Sequence, residues 1–405
     1  MKKIAIILLF LFCVFSSQML SASNNSNWSK WRGPDNNGIS KESNWNPKAL
    51  DNLDKKWSRQ LGYGYSNVSI QNNYVYSMGF KDGNDTVYCL DFDTGKTVWK
   101  HSYKATEGSY KGPRATPIYS DGNIYTLSRD GDIFCFNAEN GEIIWKKNIV
   151  TDFNAGNTKW NFSSSPYIYK NMVILNANKS GIALSKKNGD LIWKSETGIG
   201  GYATPVLFSK DSKNFIAMFA KKGLYIINPD TGKEYAFYEW ITDYDVNAAD
   251  PVITDIGIFI SSSYGIGCAL LDFTGSALKE IWKNKNMQNH FSSSILIDGF
   301  LYGISGNTYF GQTKLTCIEL KTGKKVWDSE GGIEAVTAAG ENFISVSKKG
   351  ELIISKISSL KHEVISETMV IKDRKSEFWT APVLCRGFVF CRSGNGELVC
   401  INLNK

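Results

Sequence analysis

Few side chains in this sequence of 405 residues have the types and spacing that catalysis or metal binding requires. The three histidines, His101, His290 and His362, are widely separated, and none lies in a recognisable catalytic motif. The eight cysteines include no adjacent pair and no Cys-x-x-Cys spacing, so neither a zinc site nor a dithiol redox site is supported. The sequence therefore predicts no catalytic residue and no metal ligand.

Aromatic residues accompanied by a few polar ones provide the remaining chemical signal. They occur just upstream of short segments, such as 115–117 and 164–166, whose proline suits the beginning of a strand. This mixture of side chains is typical of protein interfaces and of sites for sugars or peptides. Nine residues are our candidates for binding a ligand or partner: Tyr65, Arg114, Trp160, Asn161, Tyr202, Asp245, Asn247, His290 and Trp379. They can act together only if the fold brings distant segments to one place.

A repeated sequence motif predicts the elements that would bring these distant segments together. It consists of an alternating apolar run, a polar turn with glycine, and then tryptophan. Four copies place the glycine four residues before the tryptophan, at Gly95 and Trp99, Gly141 and Trp145, Gly189 and Trp193, and Gly323 and Trp327. Two copies are degenerate, because Gly232 is followed by Ala236 and Phe237 where tryptophan is expected, and Gly275 is further from Trp282. The copies recur about every 46 residues, which is the period of a propeller blade.

Eight apolar runs, centred near residues 88, 134, 183, 225, 269, 317, 353 and 399, have the pattern of a blade's third strand. The last run ends the sequence without a fourth strand, whereas the segment around Trp57 has the pattern of a fourth strand alone. We therefore predict an all-β, eight-bladed β-propeller of four-stranded antiparallel blades, closed by pairing the N-terminal strand with the C-terminal blade. Seven blades is the fallback, because 351–371 lacks the glycine turn and the tryptophan. The repeat tryptophans, Trp57 included, are expected to fill the wedges between blades.

The first 23 residues have the features of a secretory signal. Lys2 and Lys3 precede twelve apolar residues, a run too short to cross a membrane, and small residues end at Ser23. We expect a signal peptide over 1–23, a lead-in over 24–56 packed across the side or base of the propeller, and the propeller over 57–405. The protein is then exported, to the periplasm or outside the cell, as a monomer without a transmembrane span. A net charge of +7, mixed in sign, gives no reason to expect a nucleic-acid partner.

Two stretches resemble a known family, the proteins with pyrroloquinoline-quinone (PQQ)-like repeats. The phrase LDFDTGKTVW over 90–99 resembles that repeat, and WSKWRGP over 28–34, followed by NGIS over 37–40, is similar to the lead-in of secreted members. The resemblance implies a propeller over nearly the whole mature chain. The family includes BamB, a non-catalytic scaffold of outer-membrane assembly, and also quinoprotein dehydrogenases. Many of those enzymes carry an adjacent-cysteine disulfide and additional inserts, which this sequence lacks.

Three hypotheses about function follow. The leading one is an exported, non-enzymatic propeller without a cofactor that binds a protein or cell-envelope ligand. The first alternative, implied by the resemblance, is a dehydrogenase of alcohols or sugars using PQQ and calcium. The second is a carbohydrate-binding propeller. By analogy of fold, the ligand would meet the loops at the mouth of the central channel, although the same aromatic rings could instead plug it.

Overall fold

A computed structural model describes residues 27–373 and 375–405; the predicted signal peptide lies outside them. Alternating apolar residues form eight four-stranded antiparallel sheets arranged in a ring, which confirms the eight-bladed propeller. Blades 1 to 4 contain the strands Ser69–Gln71, Tyr74–Lys81, Asn84–Asp91 and Thr97–Lys104; Ile118–Ser120, Asn123–Leu127, Asp132–Asn137 and Ile143–Asn148; Tyr167–Tyr169, Met172–Leu175, Ile182–Ser185 and Leu191–Lys194; and Val206–Lys210, Lys213–Ala220, Gly223–Ile227 and Glu234–Glu239.

Blades 5 to 8 complete the ring. They contain the strands Val252–Ile253, Ile258–Ser262, Gly267–Phe273 and Leu278–Asn284; Ile295–Ile297, Phe300–Ser305, Lys314–Glu319 and Lys325–Asp328; Ile333–Ala339, Asn342–Ser347, Glu351–Lys356 and Glu363–Met369; and Val383–Cys385, Phe388–Arg392, Glu397–Asn402 and Asp54–Gln60. The other elements are a short strand, Ile39–Ser40, and the 3-10 helices Ala49–Asn52, Asp243–Asp245 and Thr308–Phe310. Among the described residues, no helix has the length and apolarity needed to cross a membrane.

Both ends of the described chain build blade 8, as predicted. Strand Asp54–Gln60 pairs antiparallel with Glu397–Asn402 and becomes the outermost strand of that blade. Strands 333–369 form a complete seventh blade although its turn has no glycine and its last strand no tryptophan. The seven-bladed fallback is therefore wrong.

Each repeat tryptophan packs on the next blade along the ring. The indole N–H donates to a main-chain carbonyl of that blade at 2.8–3.1 Å for Trp57, Trp99, Trp145, Trp193, Trp282 and Trp327. In five cases the ring lies against the turn glycine of that blade, where a Cβ would come within 2.5–2.7 Å of it: Gly95, Gly141, Gly189, Gly232 and Gly323. Blade 4 has Ala236 at the tryptophan position, and Gly275 of blade 5 accordingly has open space around it.

At the axis, the first strands are linked by a chain of hydrogen bonds from blade to blade. In blades 1 to 5, the residue two positions before the first strand donates its main-chain N–H to a side-chain oxygen of the equivalent residue in the next blade, at 2.7–3.2 Å, through Asn67, Thr116, Ser165, Thr204, Asp250 and Ser293. These main-chain groups are buried and would lose a hydrogen bond if the side chains were apolar. The first strands therefore surround the central channel.

Residues 28–40 of the lead-in enter this channel, a placement that the sequence did not predict. Trp28 exchanges main-chain hydrogen bonds with Ile70 of blade 1, and Tyr119 of blade 2 donates to the carbonyl of Ser29. The chain then turns back and pairs, as Ile39–Ser40, in parallel with the first strand of blade 7. Residues 28–40 thus form a plug inside the channel, inserted from the face that carries the turns between first and second strands, which we call the base. Further along the lead-in, Glu42 accepts the main-chain N–H groups of Arg386 and Gly387 in the turn between the first and second strands of blade 8.

Two glycines of blade 2 allow the tryptophan contact to be separated from backbone strain. Gly141 and Gly122 have positive φ angles of 75° and 79°, but a Cβ would meet Trp99 only at Gly141. We expect Gly141→Ala to lower the free energy of unfolding by about 1–3 kcal/mol more than Gly122→Ala, because only the former displaces a packed ring. Urea unfolding of both variants measures the difference. Equal losses would show that the packing of Trp99 on Gly141 does not contribute to stability.

Candidate functional site

The loops opposite the base enclose a pocket of about 180 Å³ at the top of the channel, which we call the mouth pocket. They join second to third strands within a blade and fourth strands to the next blade, so antiparallel pairing places them on one face. Most of the lining is aromatic: Trp31, Tyr65, Tyr110, Trp160, Tyr202, Tyr264, His290, Phe291, Tyr309 and Trp379. The pocket is open to solvent above and closed below by the plug.

Six of the nine predicted binding residues line this pocket: Tyr65, Arg114, Trp160, Tyr202, His290 and Trp379. Each comes from a different one of the loops that precede first strands, so the repeated blade structure brings these six loops together on one face. Their role in binding stays a prediction.

Trp379 is at the centre of the aromatic lining. The ring of Tyr65 stacks on it with centroids 4.8 Å apart and planes 20° apart, and Phe291 lies at 4.8 Å. Tyr110 lies 5.5 Å from Trp379 and meets Trp160 edge-on at 5.7 Å. Because these rings hold one another in place, the lining is ordered before any ligand arrives.

Among the described residues, Arg114 is the only arginine or lysine in the lining, and its guanidinium is already engaged. It donates to the main-chain carbonyls of Trp160, Ser109 and Tyr110. Burial and the neighbouring Arg129 lower the pKa of Arg114 to about 10, so it remains charged near neutral pH. The side chain therefore fixes the two loops that carry Tyr110 and Trp160.

The floor of the mouth pocket is built around the buried carboxyl group of Asp250. Its Oδ2 accepts the indole N–H of Trp31 at 2.7 Å and lies 3.9 Å from Nη1 of Arg32. Its Oδ1 accepts the main-chain N–H of Thr204 at 2.7 Å. Burial raises the pKa of Asp250, and Arg32 opposes that shift. Arg32 also donates to the carbonyl of Ser294, so the plug is tied to blades 5 and 6.

His290 is held in its neutral form. Thr308 faces Nδ1 with its hydroxyl at 2.6 Å and its main-chain N–H at 3.3 Å, and Nε2 lies 2.9 Å from the hydroxyl of Tyr264. Burial lowers the pKa of His290 to about 3. Such an imidazole is a weak base at neutral pH, and it positions Tyr264 in the lining instead.

The remaining three predicted residues lie outside the mouth pocket. Asn247 is buried, and its side-chain amide donates to the carbonyls of Ala220 and Trp240, so it ties loops together. The side-chain amide of Asn161 donates to the carboxylate of Asp130, and Asp245 forms an ion pair with Lys221. These side chains are engaged in internal contacts because each closes a loop.

Five lining aromatics, among them Phe291 next to His290, are absent from the nine candidates. Tyr264 and Tyr309 lie in turns between second and third strands, which share the mouth face with the loops that were considered. The long turn 306–313, with adjacent Tyr309 and Phe310, was the available signal for Tyr309. Tyr110 lies in the same loop as Arg114. Trp31 required knowledge that the lead-in enters the channel.

One buried acid near the mouth face does not reach the pocket. Neither carboxyl oxygen of Asp85 has a hydrogen-bond partner among the described residues. Burial, reinforced by Asp130, raises its pKa from 3.8 to about 7. Since Asp85 is fully buried and absent from the lining, it is not placed to act on a ligand there.

The lining was compared with what PQQ and calcium would require. PQQ carries three carboxylates, but Arg114, the one arginine or lysine in the described part of the lining, donates to main-chain carbonyls. In residues 27–373 and 375–405, no three His, Cys, Asp or Glu side chains lie close enough to hold a metal ion. The residues present do not fit this cofactor.

Comparison with known proteins gives one family and several structural relatives. The model of a family described as outer membrane protein assembly factor BamB matches residues 55–329, more than half of the chain. BamB from Moraxella catarrhalis aligns with a TM-score of 0.63 and 15% identity, over 86% of this chain and 97% of that one. A europium-containing methanol dehydrogenase aligns with a TM-score of 0.70 and 14% identity, over 94% and 99%. At these identities, the two structures show the fold alone.

One curated relative is an enzyme. Tetrathionate hydrolase from Acidithiobacillus ferrooxidans is 25% identical over 171 residues, which is 38% of this chain. The matched part spans only 30% of the hydrolase, so its activity does not carry over to this chain as a finding.

The contacts of Asp250 predict that the plug depends on this carboxylate. We expect Asp250→Ala to lower the free energy of unfolding by about 3–5 kcal/mol, because it leaves the buried Arg32 without a counter-charge. Asp35→Ala is the control, since Asp35 belongs to the same plug but makes an exposed ion pair, with Lys41. This substitution should change the free energy of unfolding by less than about 1 kcal/mol. Urea unfolding and limited proteolysis of residues 28–40 measure both effects. Similar values for the two variants would contradict this account of the floor.

The unpartnered Asp85 predicts a pH dependence of stability. The folded protein keeps a proton up to about pH 7 that the unfolded chain releases near pH 4, so the free energy of unfolding falls as pH rises through this window. Asp85→Asn removes the group that ionises. Its gain in the free energy of unfolding over the wild-type protein should therefore be about 1–3 kcal/mol larger at pH 8 than at pH 4. Urea unfolding at both pH values tests this, with the exposed Asp82→Asn as control. A gain that does not depend on pH would contradict the assignment.

Proposed function

Because the chain belongs to the BamB-like family of PQQ-repeat β-propellers, we propose that it is an exported, non-enzymatic binding module whose mouth pocket receives a protein or cell-envelope ligand. The observation that carries the proposal is a preordered aromatic pocket that is open to solvent and closed below by the chain's own plug. Aromatic residues in fixed positions supply contact area with little loss of conformational entropy on binding.

The chemistry of the lining supports binding rather than catalysis. Arg114 and Asp250 are engaged in internal contacts, and His290 is a weak base. General acid–base catalysis requires groups that can exchange protons near the working pH, and the described lining has none placed to do so. We place the protein in the periplasm or outside the cell, as the N-terminal pattern and the family suggest, and expect it to act as a monomer.

Site-specific crosslinking tests which face binds the ligand. A photo-crosslinking amino acid replaces Tyr309, which is 63% exposed at the mouth, or Leu360, which is 86% exposed in a turn of the base. In cells that export the protein, we expect a covalent product from position 309 and none from position 360, because the ligand enters at the mouth. Mass spectrometry then identifies the product as protein or glycan.

A pocket variant completes the crosslinking test. Adding Trp379→Ala should reduce the product from position 309 at least about tenfold, since central aromatic residues dominate binding energy. Phe237→Ala, on the outer strand of blade 4, is the matched control and should leave the yield unchanged. A product from position 360 alone, or one unaffected by Trp379→Ala, would contradict the proposal.

Titration with PQQ and calcium tests the dehydrogenase alternative. We expect no saturable binding and no dye reduction with alcohols or sugars, because none of the described lining residues offers a free cationic group to a tricarboxylate. Saturable binding with turnover would instead establish an enzyme.

A further inference from the structure

We propose that the unit bound in the mouth pocket is an uncharged sugar ring at the end of a glycan, an inference that rests on the proposed binding function. Three properties of the pocket lead to this class of ligand: its charge, its unused hydrogen-bonding groups and its closed floor.

The lining residues that the structure describes have no charge available to a ligand. Arg114 donates to three main-chain carbonyls, and the carboxylate of Asp250 accepts two hydrogen bonds beside Arg32. His290 is neutral, with both ring nitrogens engaged. A charged ligand would lose its hydration without gaining a partner of opposite charge, which is unfavourable. The ligand is therefore uncharged where it enters the pocket.

Hydrogen-bonding groups nevertheless remain in the lining. Four polar groups of the lining make no hydrogen bond to any described residue: the indole N–H groups of Trp160 and Trp379 and the hydroxyls of Tyr110 and Tyr309. None of these four groups is among the fully buried polar atoms without a partner. A lipid tail or another wholly apolar ligand would cover these groups and leave them unpaired. The ligand thus has polar edges that accept hydrogen bonds as well as faces that pack on aromatic rings.

The closed floor limits the length of what can enter. Trp31 and the plug lie directly below the lining, so a continuous extended chain cannot pass through the channel. The pocket accepts the end of a chain instead. The end of a peptide carries a charged amine or carboxylate, whereas the terminal ring of a neutral glycan is uncharged. A pyranose has C–H faces that pack on aromatic rings and hydroxyls around its edge, which matches the lining.

Binding to a glycan array tests this proposal directly. The purified protein is applied to neutral oligosaccharides and to matched ones whose terminal ring carries a carboxylate, with peptides of blocked termini as a separate arm. The glycan that binds best is then titrated by following tryptophan fluorescence. We expect saturable binding of glycans with neutral terminal rings, and at least about tenfold weaker binding of the matched acidic glycans because of the desolvation cost.

Substitutions in the pocket connect that binding to the lining. Trp379→Ala should weaken binding at least about tenfold, and Tyr110→Phe, which removes only the hydroxyl, about two- to tenfold. Tyr74→Phe is the matched control, because Tyr74 lies at the base, and it should leave affinity unchanged. Circular dichroism confirms that each variant is folded.

The outcomes separate this inference from the proposed function. Retention of acidic glycans in preference to neutral ones, or of peptides and no glycan, overturns the sugar proposal while the binding function stands. Glycan binding that Trp379→Ala and Tyr110→Phe leave unchanged overturns it as well. Absence of any bound glycan or peptide, together with absence of a crosslink from position 309, overturns both proposals.

Discussion

The buried carboxylate of Asp250 joins the ring of blades, the plug and the mouth pocket. The carboxylate accepts the main-chain N–H of Thr204, and the main-chain N–H of Asp250 donates to Ser293, so Asp250 is one link of the hydrogen bonds that connect the first strands of blades 1 to 6. Through Trp31 and Arg32 it also holds the N-terminal lead-in inside the channel. A buried carboxylate is tolerated only where it is paired and hydrogen-bonded, so each of these contacts depends on the others.

Neighbouring blades are joined by two kinds of interaction that differ in what they tolerate. Near the outside, a tryptophan packs on the turn of the next blade, and blades 4 and 7 show that this tryptophan can be missing. At the axis, buried main-chain groups require polar partners. Blade 8 has Ala381, which has no side-chain oxygen, and there Asn67 and Thr337 donate to the carbonyls of Ala381 and Pro382 instead. The axial contacts are thus replaced rather than lost.

The plug also determines what kind of site this propeller has. Its fold is shared by an assembly factor and by a methanol dehydrogenase, so the fold does not decide between binding and catalysis. In this chain, Trp31 closes the channel from below, and the charges of Arg114 and Asp250 are used internally. What remains is an aromatic, uncharged pocket, and the proposals on function follow from that composition.

The sequence by itself determined the number of blades, the closure of the ring and the burial of the repeat tryptophans, because hydrophobic alternation and glycine turns are local patterns that recur. It also placed six binding candidates in one pocket, since equivalent loops of a propeller share a face. Only the tertiary structure decided that five of the tryptophans pack on a glycine of the next blade and that residues 28–40 of the lead-in enter the channel. It also decided that the side-chain amide of Asn247 donates its hydrogen bonds to main-chain carbonyls and not to a ligand. Local patterns specify which side of a strand is buried, whereas contacts between distant segments depend on how the whole ring closes.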